Sequence, residues 1–329
     1  MKTMYQTTRI MIVMALLAII SCNENDFLEE KPLSIYTPEN SLVTVSDFQA
    51  AVNRIYRRPA DIFFYETNEF AFYYATDLSF SSHDVNKLNK YAAHLIPTSL
   101  ETTDIWNSMY SIISQANLVL TRLQDADIPE ADKKVMRGEA LFFRAFGYRI
   151  LGSMYGGVPL ITEEVVEVRR DFVRATREET YTQAKNDLTE AVSLLGNIDA
   201  VKDGKISKQM AQHLLSEIYI SLGDYDNAIS AATAVIDYPA MGLMTERFGT
   251  KLDQPGDAYS DLFQTGNINR SSGNRETLWA TQYDYLNPAF SGSTDRRSWK
   301  YNPQYGTITL TIDGVTTSAF KGITAEKGG

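Results

Sequence analysis

The feature that most constrains the fold is a succession of segments in which apolar residues recur at spacings of three and four. Such spacing gives each helix one apolar stripe, which is buried only when a neighbouring element covers it. We therefore predict a mostly α fold in which successive helices pack together. Six segments show the pattern: they begin near Thr44 and Thr103, span 130–151, 178–195 and 207–222, and include 228–236.

The predicted helix 130–151 carries the longest run of this pattern. The helix is predicted to end at Tyr-Gly-Gly-Val-Pro-Leu, 155–160, where glycine permits a left-handed exit and proline cannot extend the helix. The helical spacing favours a structural role for Arg144, as a tie to a neighbouring helix. It also predicts three aromatic residues in the core: Phe142, Phe143 and Tyr148.

The last two predicted helices, within 207–239, resemble a tetratricopeptide unit of about 34 residues. A hairpin of this type cannot bury its apolar face alone, so we expect neighbouring helices to stack on it. The second helix is expected to pair with the first through Ala228, Ile229, Ala232, Val235 and Ile236. The resemblance rests on residue types that the repeat favours at these places: Tyr219, Gly223, Tyr225, Ala228 and Pro239.

Two regions are predicted to be irregular. The first is an aromatic-rich insertion at 60–100, within a helical region that spans 41–240. The second, 241–329, is rich in glycine, serine, asparagine and aromatic residues, and we predict a loop-rich subdomain with little β structure. Alternating residues at 307–312, followed by Asp-Gly at 313–314, predict one strand and a hairpin turn there.

The only cysteine of the chain, Cys22, lies just after an apolar run at 10–20 that follows two basic residues. The run is too short to cross a bilayer core of about 30 Å as a helix, and its basic flank is typical of a signal peptide. We predict a lipoprotein signal peptide at 1–21, acylation of Cys22 (for example with palmitate), and a lipidated tether at 22–40 that holds the protein at a membrane. An ordinary secretory signal with an incidental cysteine is the alternative.

Acidic residues outnumber basic ones, and the formal net charge is −10 at pH 7. Removal of the predicted signal peptide would make the charge more negative still. Such a surface repels phosphate backbones, so nucleic acid is not expected as a partner. Three widely spaced histidines, His83, His94 and His213, have no cysteine near them, and we predict neither a metal site nor a cofactor.

Five segments resemble, in the same order, the SusD/RagB family of outer-membrane lipoproteins of Bacteroidetes: 26–32, 106–117, 137–160, 207–239 and 276–280. The resemblance implies a mostly helical SusD-like fold, with four tetratricopeptide-like pairs that support an irregular, loop-rich subdomain. It also implies a surface-exposed protein that captures an oligosaccharide, or in some relatives a peptide, and delivers it to a TonB-dependent outer-membrane transporter of the SusC type.

Members of this family usually run well past the length of this chain. The resemblance therefore predicts that part of the irregular subdomain at 241–329 is missing, either because the chain is a fragment or because it is a truncated gene product.

Glycan binding needs flat aromatic faces for sugar rings, and amide, carboxylate or guanidinium groups for hydroxyls. Two segments, 73–84 and 279–305, combine these side chains. Trp299, beside two arginines on a loop that follows glycine and serine, is the strongest candidate for a stacking platform, whereas Trp279 is predicted to be a packing residue. The ligand-binding candidates are Trp299, Arg296, Arg297, Tyr283, Tyr285, Tyr73, Asp77 and His83.

Two other functions compete with nutrient binding. A tetratricopeptide-type scaffold would bind other envelope proteins through its helical groove, and its aromatic loops would be structural. A surface glycoside hydrolase would need two carboxyl groups about 5–10 Å apart across a cleft; neighbouring acids such as Glu163 and Glu164 usually mark a solvated face instead. The sequence contains no nucleophile elbow, phosphate loop or dinucleotide motif, so we predict a binding protein and not an enzyme.

Overall fold

The computed structural model describes residues 41–63 and 95–282, together with two strands of the C-terminal region. The elements given below lie in one compact unit, Val43–Gly329. Most of the predicted insertion at 60–100 and most of the chain after residue 282 lie outside the described residues.

Six long helices follow one another along the described chain. Each packs against the next, and α1 also contacts α3. The prediction of a mostly α fold is confirmed. The six helices are α1 (Val45–Phe63), α2 (Leu100–Arg122), α3 (Glu130–Tyr155), α4 (Arg177–Leu194), α5 (Lys208–Leu222) and α6 (Tyr225–Ile236).

After α6 the described chain runs mainly through turns. It contains one short helix, α7 (Ala258–Asp261), and two short 3-10 helices, Gly249–Lys251 and Arg270–Ser272. This part of the structure agrees with the irregular, loop-rich character that its composition predicts.

A two-stranded hairpin follows nearer the C-terminus. Strand β1 (Thr309–Ile312) pairs antiparallel with β2 (Val315–Ser318), and Ile312 lies opposite Val315. Two residues separate the strands, as the Asp-Gly pair predicts. The strand prediction is confirmed, although β1 begins two residues later than the alternation indicates.

Side-chain caps set where α4 and α5 begin. The Thr176 hydroxyl accepts the Glu179 N–H, while the Glu179 carboxylate accepts the Thr176 N–H at 2.7 Å. The Ser207 hydroxyl similarly accepts the Met210 N–H at 3.2 Å. These bonds satisfy N–H groups that have no partner inside the helix, so α4 and α5 begin directly after Thr176 and Ser207.

Helix α3 ends at Tyr155, as the Tyr-Gly-Gly turn predicts, and Gly152 packs inside its last turn. A Cβ at Gly152 would lie 2.9 Å from the Tyr181 ring of α4, so the absence of a side chain allows the two helices to approach closely. The residue that follows the helix, Gly156, has a φ of 76° that favours glycine.

The core is built mainly along α1, α2 and α3. The predicted core positions of Phe142, Phe143 and Tyr148 are confirmed, since each side chain is fully buried. The rings of Phe142 and Phe143 pack edge to face, with centroids 5.3 Å apart. Helices α1 and α2 bury their apolar stripes against them: Phe48, Val52, Ile55, Ile105, Met109, Ile112, Ile113 and Ala116.

The packing face predicted for α6 is partly wrong. Ala228 and Val235 are buried, but Ile229 and Ile236 are 65% and 72% exposed. Helix α6 packs on α5. On a helix of 3.6 residues per turn, the two isoleucines lie on a second stripe, next to the buried stripe of Ala228 and Val235. Helix α5 covers only the buried stripe.

The tightest backbone approach occurs at Gly157, where an added Cβ would overlap the Ala175 carbonyl oxygen. We predict that Gly157→Ala lowers the free energy of unfolding by about 2–3 kcal/mol, because the two backbone segments must move apart. Urea unfolding followed by circular dichroism measures the change. Gly196→Ala is the matched control, since its Cβ would make an ordinary contact 3.4 Å from Val201 Cγ1; equal losses in both variants would contradict the prediction.

Candidate functional site

The nine residues singled out from the sequence for ligand binding or lipidation all lie outside the described residues. They therefore stay predictions. The described chain does show how the segment just before Tyr283 is held. The nine residues are Cys22, Tyr73, Asp77, His83, Tyr283, Tyr285, Arg296, Arg297 and Trp299.

A buried arginine joins three helices and a loop. The Arg144 guanidinium of α3 donates to both carboxylate oxygens of Asp187 of α4, at 2.8 Å and 2.7 Å. Its remaining terminal nitrogen donates to the Asn117 side chain of α2 at 3.0 Å and to the Thr162 carbonyl at 2.8 Å. The prediction that Arg144 ties one helix to another is confirmed.

The Asp187 carboxylate, which pairs with Arg144, is buried. Burial raises the pKa of Asp187 above its ordinary value, while the hydrogen bonds from Arg144 act in the opposite direction. The Gln183 side chain donates a further hydrogen bond to Asp187 at 2.9 Å. Because all of these contacts are internal, the arrangement serves packing and leaves no open position for a ligand.

The loop after α3 is bound to the helices beneath it. The Tyr148 hydroxyl donates to the Ile161 carbonyl at 2.8 Å and accepts the Ile161 N–H at 2.6 Å. The Asn117 side chain donates to the same carbonyl, and the Tyr110 hydroxyl donates to the Pro159 carbonyl at 2.7 Å. Burial raises the pKa of Tyr148 to about 12, so its hydroxyl remains a donor at neutral pH.

Glu164, one of the two neighbouring acids on this loop, is held by structural contacts. It accepts from the Arg122 guanidinium at 2.7 Å, and its backbone N–H donates to the Thr121 hydroxyl. Glu163 is exposed, as expected of a solvated acid, whereas the Glu164 side chain is only 17% exposed because of its ion pair.

Trp279 joins the irregular region to the helices. Its indole N–H donates to the Gly204 carbonyl at 2.9 Å, and its ring centroid lies 6.0 Å from that of Phe143 and 6.4 Å from that of Tyr56. The prediction that Trp279 packs is confirmed. Because Tyr283 follows four residues later, Trp279 fixes the start of the segment that carries the C-terminal ligand candidates.

A buried carboxylate lies in the same junction. Glu139 is 2% exposed, accepts from the Tyr56 hydroxyl at 2.6 Å and pairs with Lys205 at 3.2 Å. The Tyr56 hydroxyl in turn accepts the Ile206 N–H at 2.9 Å. Burial raises the pKa of Tyr56 well above its ordinary value, so this hydroxyl stays protonated and donates. The cluster links α1, α3 and the turn at 204–206.

A second arginine organises the irregular region. Arg247 donates to both carboxylate oxygens of Asp261, at 2.5 Å and 3.1 Å, and to the backbone carbonyls of Lys251, Gln254 and Gly256. These hydrogen bonds lower the pKa of Asp261. One guanidinium thus joins the two ends of the loop at 247–261, which contains only short helices.

This closed loop presents two aromatic rings to solvent. Tyr259 and Phe263 are 71% and 69% exposed, and their ring centroids are 5.1 Å apart. Exposed aromatic faces beside carboxylates are what sugar rings and hydroxyls require. The sequence does contain a signal for the pair. Asp257 and Ser260 form a capping box at the start of α7, and the two aromatic residues are four positions apart. Our sequence analysis did not select these residues.

Metal ligands do not cluster in the parts of the chain that the structure describes, where no group of three or more histidine, cysteine, aspartate or glutamate residues converges. His213 there lies 3.4 Å from Glu217, which Arg149 also contacts. A hydrogen bond from His213 lowers the pKa of Glu217. The arrangement is a surface ion-pair cluster on α5.

A sequence model for SusD-like proteins, described as "Starch-binding associating with outer membrane", matches residues 26–220. The chain belongs to this SusD-like family. The match contains α1 to α4 and nearly all of α5, so it includes both the Arg144 cluster and the loop at 159–164.

Curated relatives agree with this assignment. SusD-like protein P2 of Formosa agariphila is 25% identical over 283 residues, which cover 84% of this chain and 52% of the relative. SusD-like protein P38 of the same organism is 27% identical over 197 residues, 58% of this chain and 36% of the relative. The chain spans about half the length of P2, and less of P38.

Solved structures share the fold. A SusD-like protein from Bacteroides fragilis has a TM-score of 0.58 at 21% identity, over 74% of this chain and 45% of its own. A crystal structure with xylogluco-oligosaccharide has a TM-score of 0.60 at 21% identity, over 73% of this chain and 47% of its own. A laminarin-binding SusD-like protein has a TM-score of 0.51 at 25% identity, over 61% of this chain and 45% of its own. The SusD-like fold prediction is confirmed.

We predict that Arg144→Met lowers the free energy of unfolding by about 3–5 kcal/mol, because it leaves the Asp187 carboxylate buried without its cation. Arg144→Met/Asp187→Leu should recover much of that loss, since both charges are then absent. Urea unfolding measures both. Arg137→Met is the control, because Arg137 pairs with Glu190 at a half-exposed site and should cost about 1 kcal/mol or less. A double variant no more stable than Arg144→Met would contradict this account.

Proposed function

We propose that the chain is a cell-surface lipoprotein that binds oligosaccharides, or peptides, and hands them to a TonB-dependent outer-membrane transporter for nutrient uptake. The observation that carries the proposal is the family match over 26–220, whose description names both starch binding and the outer membrane. Two structures of similar fold support the oligosaccharide class, one with xylogluco-oligosaccharide and one of a laminarin-binding protein.

The proposed mechanism is non-covalent capture. Sugar rings stack on aromatic faces, while carboxylates, amides and guanidinium groups bond the hydroxyls. The exposed rings of Tyr259 and Phe263 are suited to stacking because Arg247 and Asp261 hold their loop closed. Trp299, with Arg296 and Arg297, remains the proposed platform of the following segment.

Attachment to the membrane is proposed to depend on acyl chains at Cys22. Within the described ranges, no helix is long and apolar enough to cross a bilayer. Each buried methylene group of an acyl chain contributes about 0.8 kcal/mol, and stable anchoring takes more than one chain. The predicted tether at 22–40 would then hold the folded unit near the membrane, where it could bind ligand and close over the transporter.

A scaffold function is the second candidate, and a groove across α4, α5 and the start of α6 favours it. The groove has a volume of about 610 Å³, and its walls include one lysine, two acids, two amides and one tyrosine: Lys185, Glu190, Asp224, Asn186, Asn227 and Tyr219. These side chains offer hydrogen bonds and charges of both signs to an extended polypeptide.

We predict saturable binding of laminari- or xylogluco-oligosaccharides, measured by isothermal titration calorimetry. Tyr259→Ala/Phe263→Ala should raise the Kd by about tenfold or more, because two stacking surfaces are lost. Phe172→Ala is the matched control, since it removes a 42% exposed ring from the loop between α3 and α4. If Trp299→Ala abolishes binding while the double variant leaves it unchanged, the contact surface lies at 283–305 instead. No saturable binding of any glycan or peptide would refute capture.

We predict that Cys22→Ala abolishes palmitate labelling and recovery in the outer-membrane fraction, because the acyl chains have no other thiol in the chain. A TonB-dependent barrel should co-purify with the lipidated chain from solubilised outer membranes and be lost with Cys22→Ala. Ser34→Ala, in the predicted tether, is the control. Unchanged membrane recovery of Cys22→Ala would refute the anchor, whereas a lipidated chain that brings no barrel would favour the scaffold function.

A further inference from the structure

Three side chains that together supply the parts of an amide-forming reaction meet beside the turn at 204–206. The Lys205 amine lies 3.2 Å from the Glu139 carboxylate, and it donates to the side-chain oxygen of Asn53 on α1 at 3.3 Å. An amine can act as the nucleophile of an acyl transfer, and a carboxylate beside it can carry the protons. The carbonyl carbon of Asn53 is one bond away from the oxygen that the amine already contacts, so the nucleophile is held beside its target.

Glu139 is placed to carry protons between the other two side chains. Its side chain is 2% exposed, and its Oε2 atom has no hydrogen-bond partner in the part of the chain that the structure describes. The Oε1 atom accepts from the Tyr56 hydroxyl and pairs with Lys205. A buried ion pair is costly to desolvate, and transfer of one proton from the ammonium to the carboxylate removes both charges. The free Oε2 atom is available to receive that proton.

The two sides of this cluster differ in their access to water. On the inner side, the Lys205 nitrogen lies 4.5 Å from the centroid of the Tyr56 ring, which packs edge to face on the buried Phe143. On the outer side, Asn53 is exposed and the Lys205 side chain is 31% exposed, so ammonia released there can leave to solvent. The Gln49 side chain donates to the Asn53 oxygen at 3.0 Å, and a donor at this place stabilises the negative charge that develops when the carbonyl is attacked.

We infer that Lys205 and Asn53 form an intramolecular isopeptide bond, with Glu139 as the general acid and base. Glu139 takes a proton from the Lys205 ammonium, and the neutral amine attacks Asn53 Cγ. The Cγ–Nδ2 bond breaks as Glu139 gives that proton to the departing nitrogen, which leaves as ammonia. The second proton of the amine passes to the Glu139 carboxylate, which becomes a neutral acid. Ammonium, carboxylate and carboxamide thus become an amide, a carboxylic acid and ammonia, with no oxidant or further reactant.

The bond would join α1 to the turn before α5, between residues that are 152 positions apart in the sequence. A cross-link of this kind needs no cysteine, of which the sequence contains one. It restricts the unfolded chain in the way that a disulfide does, and the restriction grows with the length of the closed loop. It would also fix the turn whose Gly204 carbonyl accepts from the Trp279 indole.

Mass spectrometry of the purified full chain tests the inference. The chain should weigh about 17 Da less than its covalent composition without the bond, because one ammonia is lost, and digestion should give a branched peptide that joins Asn53 to Lys205. Asn53→Asp should instead lose about 18 Da, because water then leaves in place of ammonia. Glu139→Gln should remain at its full mass, since an amide cannot carry the protons.

Lys205→Arg is the second blocking variant, because it keeps the positive charge and should remain folded and at full mass even if Glu139→Gln does not fold. Circular dichroism shows whether each variant keeps the helical fold. The matched control is Lys202→Arg, which changes an exposed lysine three positions earlier and should keep the loss of ammonia and the branched peptide. A chain at full mass without the branched peptide would overturn the inference. A loss of ammonia that persists in Lys205→Arg would indicate a succinimide at an asparagine, and would overturn it as well.

Discussion

Arg144 places a full positive charge where almost no water reaches it, and the surrounding structure is arranged to neutralise it. Its guanidinium uses Asp187 on one side, and Asn117 with the Thr162 carbonyl on the other. Such a pair is costly to desolvate and costly to break, so it contributes more to the choice of one arrangement than to net stability. Helices α2, α3 and α4 and the loop after α3 must all be in place before the charge is satisfied.

The same cluster explains why the loop at 159–164 is ordered. Three side chains of α2 and α3, Tyr110, Asn117 and Tyr148, bond its backbone, and Asn117 also bonds Arg144. Loop and helices thus share one polar network. This arrangement lies within the part of the chain that the family match covers.

The helices were predictable because their apolar residues follow one period, and the roles of Arg144 and Phe143 followed from that spacing, whereas the packing role of Trp279 followed from its place in a segment that resembles the family. The period could not show which of two neighbouring stripes of α6 is covered, so Ile229 and Ile236 were misplaced. Nor could it reveal the bond between Arg247 and Asp261, because these residues are joined by an irregular loop with no period. Tyr259 and Phe263 lie in and just after that loop and were therefore not selected, whereas the candidates from Tyr73 to Trp299 remain sequence predictions.

The junction at Trp279 has a consequence for how this protein tolerates change. The turn at 204–206 is held from one side by the Tyr56 hydroxyl and from the other by the Trp279 indole, above the buried Glu139. The chain beyond Trp279 is therefore attached to the helices at a position that these hydrogen bonds hold in place. The chain that follows Trp279 can therefore change in sequence and length while the helical array keeps its geometry.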